Sequence, residues 1–156
     1  MDKLQRILVG VDFSPGSQAA LERAAELAAC FAGALDVVHV WNAPPYVAPE
    51  ALVGFSSGTS QTLSDVIRSN AERSMKQFVA EARQQGIRIA HARVECGDPA
   101  RTILELAEEG DYDLIAIGTH GRSGLSHLLA GSVAETVVRR ARRPVLTVRQ
   151  PSLHAA

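Results

Sequence analysis

Short runs of continuous apolar residues alternate along the chain with longer stretches whose apolar positions recur every three or four residues. This is the pattern of strands buried on both faces, separated by amphipathic helices. Ile7-Leu-Val-Gly-Val11 predicts the first strand. Ser14-Pro15 then supplies an N-cap followed by a first-turn proline, and Leu21, Ala24, Ala25, Ala28 and Phe31 recur at helical spacing up to Gly33, which the pattern assigns as a glycine C-cap. Leu35 to Trp41 reads as the second strand. The segment from Asn42 to Ser60 contains Pro44, Pro45, Pro49, Gly54 and Gly58 and reads as a long loop lying over the site. Thr62 to Gln85 fits an amphipathic helix closed by Gly86, and Ile87 to about Glu95 a third strand whose charge marks it as a sheet edge. Asp98-Pro99 repeats the cap-plus-proline signal before a short helix ending at Gly110. Leu114 to Gly118 is the fourth strand, Ser132 to Arg143 a helix, and Pro144 to Val148 the fifth strand.

Strands separated by helices, with no two strands close enough for a tight hairpin, predict an α/β fold. It is a single-domain, doubly wound, five-stranded parallel sheet with helices on both faces, Rossmann-like, in the strand order 3-2-1-4-5. Strands 1 and 4 flank the point where the winding reverses, and ligands are expected at their ends. The length of 156 residues allows one such domain, ending near residue 150, and a short polar tail over 151–156.

Apolar residues are 46% of the chain and aromatics only 4%, so the core must be aliphatic. Sixteen Lys and Arg against seventeen Asp and Glu give a formal charge of −1, which lacks the positive field of a nucleic-acid binder. Arg139, Arg140, Arg142 and Arg143 fall at a helix C-terminus, where cations complement the dipole. Cys30 and Cys96 lack CxxC spacing and are expected to be buried thiols of a reducing compartment. The first apolar run is bracketed by Asp2 and Asp12, so no secretory signal is predicted, and no stretch has the ~18–20 apolar residues of a membrane span. The expected location is the cytoplasm.

Chemistry concentrates after the fourth strand, in Gly118-Thr-His-Gly121-Arg-Ser-Gly124-Leu-Ser-His-Leu-Leu-Ala-Gly131-Ser132-Val133. Glycines let a backbone approach a ligand and expose amide N–H groups, and the start of the Ser132 helix carries unpaired N–H groups at the positive end of its dipole. Together these make a phosphate cradle. Ser132 also stands three residues before Glu135, the spacing of a capping box, and a cap hydroxyl can face a phosphate as well. Neither the Walker A pattern nor GxGxxG is present, so a P-loop or dinucleotide site is not supported.

The pattern Gly-x2-Gly-x9-Gly-Ser/Thr, met by Gly118, Gly121, Gly131 and Ser132, resembles that of the ATP-binding branch of the universal stress protein family. The opening Ile7-Leu-Val-Gly-Val-Asp12-Phe-Ser, Val37-Val-His-Val40, Gly97-Asp-Pro, Tyr112-Asp-Leu-Ile and Arg143-Pro-Val-Leu-Thr-Val148 extend the resemblance over nearly the whole chain. It implies an ATP site in which Asp12 meets the adenosine portion and Val40 holds adenine through its backbone. Gly118, Gly121, Gly131, Ser132 and Val133 would surround the ribose and phosphates, and a magnesium or manganese ion would ride on the phosphates. Taken alone, Asp12 reads equally as a strand-end turn residue and Val40 as core. The last strand, Val145 to Val148, has an apolar edge that invites aggregation unless it is covered; the resemblance implies a homodimer through it, and the alternative is that the tail folds back to shield it.

The five histidines, at 39, 91, 120, 127 and 154, show no metal-ligand spacing. His120, Arg122 and Asp12 are the groups near the cradle that could serve hydrolysis, so weak ATPase activity or none is expected and no catalytic residue is assigned. Three functions stay open: a nucleotide-dependent regulatory dimer in stress response, a slow ATP hydrolase, and a nucleotide-free dimeric interaction module. Which stress or partner the chain serves is not written in the residues.

Overall fold

The computed structural model describes residues 4–42, 48, 50–56, 59–119 and 132–149, with side chains described except at 52–59 and 132. Its elements, in chain order, are β1 (Arg6–Gly10), α1 (Pro15–Phe31), β2 (Ala34–Trp41), β3 (Leu52–Ser56), β4 (Thr59–Thr62), α2 (Leu63–Gln84), β5 (His91–Cys96), α3 (Pro99–Glu109), β6 (Leu114–Gly118), α4 (Ser132–Arg140) and β7 (Val145–Val148). Five of the strands form a parallel sheet in the order β5-β2-β1-β6-β7, the predicted doubly wound order. β3 and β4 pair with each other as an antiparallel hairpin that begins inside the segment the prolines and glycines assign to loop and runs past it to Thr62.

Alternation along the central strands divides the core into two layers. Ile7, Val9, Leu35, Val37, Leu114 and Ala116 face α1 and α2, and Leu8, Val38, Val40, Ile115 and Ile117 face α3 and α4. α1 contributes Leu21 and the small residues Ala20, Ala24 and Ala28, while α2 contributes the larger Met75, Phe78 and Val79.

The helix starts follow the residues that signal them. Ser14 caps α1, its Oγ accepting from the Ser17 N–H, and Asp98 caps α3, accepting from the Arg101 N–H at 2.8 Å. Thr62 and Asp65 form a reciprocal capping box at α2.

Four local expectations are corrected. The left-handed residue ending α1 is Ala32 (φ +53°), not Gly33; a Cβ on Gly33 would lie 2.6 Å from the Leu4 carbonyl oxygen, so this glycine serves a backbone crossing. Phe31 is 52% exposed, outside the buried stripe. Cys30 and Cys96 are both exposed thiols. The third predicted strand is β5, an edge strand as expected, but it begins only at His91, and Ile89 is buried ahead of it.

The amino end of the sheet is tied by a buried polar knot. Asp36, 2% exposed, accepts from the Tyr112 hydroxyl at 2.7 Å, from the His91 backbone N–H at 3.0 Å and ring Nδ1 at 2.9 Å, and from Arg6 at 3.3 Å. Arg6 also donates to the Gly110 carbonyl and lies over the Tyr112 ring. Asp113 accepts from the Gln5 and Arg6 N–H groups, each at 2.8 Å. The adjacent Tyr112 and Asp113 thus anchor β2 and the start of β1.

Candidate functional site

β1 ends early in the middle of the sheet. Gly10, its last residue, lies opposite Val38 and Ile117, while β2 continues to Trp41 and β6 to Gly118. The central strand stops at the reversal of winding between β1 and β6, the position at which open α/β sheets form their ligand crevice.

The direction of the peptide groups shows what faces it. Backbone N–H and C=O groups of successive strand residues point to opposite neighbours. On β2 the Val38 carbonyl accepts from Val11 N–H on the β1 side, and the Trp41 carbonyl accepts from Gly97 N–H on the β5 side. Val40 therefore turns its peptide groups toward β1, beyond that strand's end. On β6, Ile115 N–H donates to Pro144 and Thr119 N–H to Val148, both of them on or beside β7, so Gly118 turns the other way, its N–H completing the ladder with Gly10 and its carbonyl lying beyond the end of β1. Val40 and Gly118 thus approach the crevice from its two walls.

Asp12 sits between them, half-buried. Its carboxylate accepts from the Ser14 N–H at 3.0 Å and the Ser14 Oγ at 2.5 Å, while Ser14 in turn caps α1. Asp12 is thus both the strand-end turn residue of the local reading and a rim residue of the crevice. Phe13 follows in the left-handed region (φ +62°), a conformation costing a non-glycine residue about 1 kcal/mol. Its ring contacts offset this, with His39 at 4.4 Å and Phe78 at 5.7 Å between centroids. His39 Nδ1 bonds the Val11 carbonyl at 2.8 Å.

Helices antiparallel to the strands bring the N-termini of α1 and α4 to this end of the sheet, with the positive ends of their dipoles. Val133, in the first turn of α4, is half-buried and packs on the α3/α4 layer. Gly118 has a structural reason to be glycine: a Cβ there would lie 2.6 Å from the Gly16 carbonyl carbon and oxygen. Gly121, Gly131, His120 and Arg122 lie outside the described residues, as does the Ser132 side chain with its capping box.

Among the described residues no cluster of three or more His, Cys, Asp or Glu side chains could hold a metal ion, and no helix is long and apolar enough to cross a membrane. The polar knot at Asp36, which no pattern in the sequence singled out, belongs to the opposite end of the sheet. The one hint was an aspartate inside an otherwise apolar strand run, Leu35-Asp-Val-Val.

A five-stranded parallel sheet in the order β5-β2-β1-β6-β7, wound in both directions from its centre with helices on both faces, defines a doubly wound, Rossmann-like α/β domain. The universal stress protein family model matches residues 3–149, and the chain belongs to that family. It is 32% identical to Universal stress protein MJ0531 of Methanocaldococcus jannaschii over 147 residues, covering 94% of this chain and 83% of that one. Among solved structures, UspA from Lactobacillus plantarum superposes with a TM-score of 0.74 at 25% identity, covering 96% of this chain and 100% of the other. A universal stress protein solved in complex with cAMP gives a TM-score of 0.66 at 25% identity, over 96% and 99% of the two chains.

Proposed function

We propose that the chain is an adenine-nucleotide-binding regulatory protein whose ligand is ATP. The observation that carries this reading is that the Val40 peptide and the Gly118 carbonyl both turn toward the space beyond the end of β1. A peptide edge matches the donor and acceptor positions of a base, as Val40 is proposed to do for adenine, and Asp12 at the rim is proposed to meet the ribose. The relative in complex with cAMP supports an adenine ligand. ATP is preferred to a monophosphate because the sequence sets Gly118, Gly121 and Gly131 ahead of Ser132 and Val133 at the start of α4, and the main-chain donors proposed for these five residues are more than one phosphate would use. A divalent ion is proposed to travel on the phosphates, with waters completing its shell.

Turnover is proposed to be weak or absent, since the groups the sequence sets near the cradle are only His120, Arg122 and Asp12, and the Asp12 carboxylate accepts hydrogen bonds from Ser14. The domain is proposed to extend to residue 150, with 151–156 as a tail, and to act in the cytoplasm as a homodimer. The two sheet edges differ in a way that favours the dimer: β5 reads His-Ala-Arg-Val-Glu-Cys, charged and self-protecting, whereas β7 reads Val-Leu-Thr-Val.

Native mass spectrometry of the purified chain should show co-purifying adenine nucleotide. Calorimetry should show ATP binding more tightly than AMP or cAMP, with binding abolished by Gly121→Val and by Gly131→Val. Tight binding that survives both substitutions would place the site elsewhere.

A further inference from the structure

His39 touches both neighbours of Asp12. Its Nδ1 lies 2.8 Å from the Val11 carbonyl, and its ring packs on Phe13 at 4.4 Å. A carbonyl can only accept, so the Nδ1 is the protonated ring nitrogen. The bonded carbonyl is a particular one. In a continuing parallel ladder, Val11, whose N–H already donates to Val38, would offer its carbonyl to the Val40 N–H. That carbonyl is instead engaged by a side chain of the neighbouring strand, and at the next residues the chain leaves the sheet through the left-handed Phe13.

We infer that His39 is the positioning residue of the crevice: by taking the Val11 carbonyl it ends the β1–β2 ladder one step before Val40, leaves the Val40 peptide for the ligand, and fixes the turn that presents Asp12. The inference rests on the proposed nucleotide reading for its consequence in affinity, and on hydrogen bonding alone for its mechanism. Neither Asp12 nor Val40 can set this geometry itself. Asp12 accepts from Ser14 within its own turn, and Val40 is committed to β2 and to the α3/α4 layer by its side chain.

Two variants separate the donor from the ring. His39→Phe keeps an aromatic against Phe13 and removes the donor; His39→Asn restores a donor near the Nδ1 position without the ring. Amide hydrogen exchange on the nucleotide-free full chain reads the mechanism. In His39→Phe the Val11 carbonyl is released to the ladder, so the Val40 amide should exchange more slowly than in the parent protein. The Ser14 amide, which donates to Asp12, should exchange faster. His39→Asn should return both toward parental values. Magnesium-ATP calorimetry reads the consequence, with affinity falling about tenfold in His39→Phe, the worth of one well-placed hydrogen bond, and staying within about twofold in His39→Asn.

A Val40 amide that exchanges at the parental rate or faster in His39→Phe overturns the inference, whatever the nucleotide does. Equal loss of affinity in both variants also overturns it, because the donor would then not be the operative group. If exchange responds as expected but the parent protein binds no ATP, the ladder mechanism stands and the nucleotide reading falls.

Discussion

Gly118 and Gly16 pack backbone against backbone, with no space between the end of β6 and the first turn of α1 for even a methyl group. Gly118→Ala must therefore push the α1 start away from the sheet, because the opposing atoms are main chain and cannot rotate aside. A cost of about 2–3 kcal/mol is expected. Gly10→Ala is the control. Its Cβ would meet the Ile103 Cδ1 at 2.8 Å, the far end of a flexible side chain, and should cost less than about 1 kcal/mol. Urea denaturation midpoints of the two variants decide this, and equal losses would show that the α1 contact yields.

The knot around Asp36 gives stability a pH dependence at both extremes. Burial would raise the Asp36 carboxyl, but hydrogen bonds from Tyr112, His91 and Arg6 outweigh it and hold the group below its ordinary value. The native state thus favours the carboxylate. Its contribution is complete above the unfolded value of about 3.9 and is lost as pH falls from there through the depressed native value. Tyr112 is pushed the other way, by burial and then by its bond to Asp36, so its contribution is complete below about pH 10 and declines above that. Tyr112→Phe should flatten the thermal stability profile of the chain at both ends, and a variant profile parallel to the parent's would remove the knot as the cause. Asp36→Ala, which leaves the Tyr112, His91 and Arg6 donors without their acceptor, should cost about 3 kcal/mol at neutral pH.

Ala32 ends α1 in the left-handed region, where its Cβ is a liability. Ala32→Gly should raise stability by about 0.5–1 kcal/mol, the relief of left-handed strain less the added entropy of the unfolded chain. A rise of roughly 1–4 °C in melting temperature is expected. Gly33→Ala, directed at the Leu4 carbonyl, should lower it, and the opposite signs at adjacent positions are the test.

The fold was legible because its information is periodic. Apolar runs, Ser14-Pro15, Asp98-Pro99 and the right-handed crossover rule place the five parallel strands in their observed order. What escaped depends on partners distant in sequence. A left-handed cap looks alike whether Ala32 or Gly33 occupies it, and only the crossing of Leu4 over Gly33 distinguishes them. Cys96 occupies a strand, but that strand is the sheet edge, which leaves it exposed. The β3–β4 hairpin is hidden by Gly54 and by a polar second strand, Thr-Ser-Gln-Thr. At the site, the residue types at Asp12, Val40 and Gly118 are readable in sequence, but the shortness of β1 is not. It emerges only from the register with β2 and β6 and from the His39 bond to Val11.

The proposed dimer can be broken without touching the fold, because the two sides of β7 are chemically separable. The carbonyls of Pro144 and Val148 accept from Ile115 and Thr119, so these alternate residues face β6. By the same alternation Thr147 turns its N–H to the free edge. Its side chain is exposed. Thr147→Pro deletes one free-edge donor that a second subunit would use and leaves the β6–β7 ladder intact, whereas Leu146→Pro interrupts the ladder itself. Light scattering after size exclusion should show Thr147→Pro as a monomer with an unchanged far-ultraviolet dichroism spectrum, and Leu146→Pro as destabilised. A Thr147→Pro variant that remains dimeric with native spectra would move the interface away from β7, and the apolar edge would then need another cover.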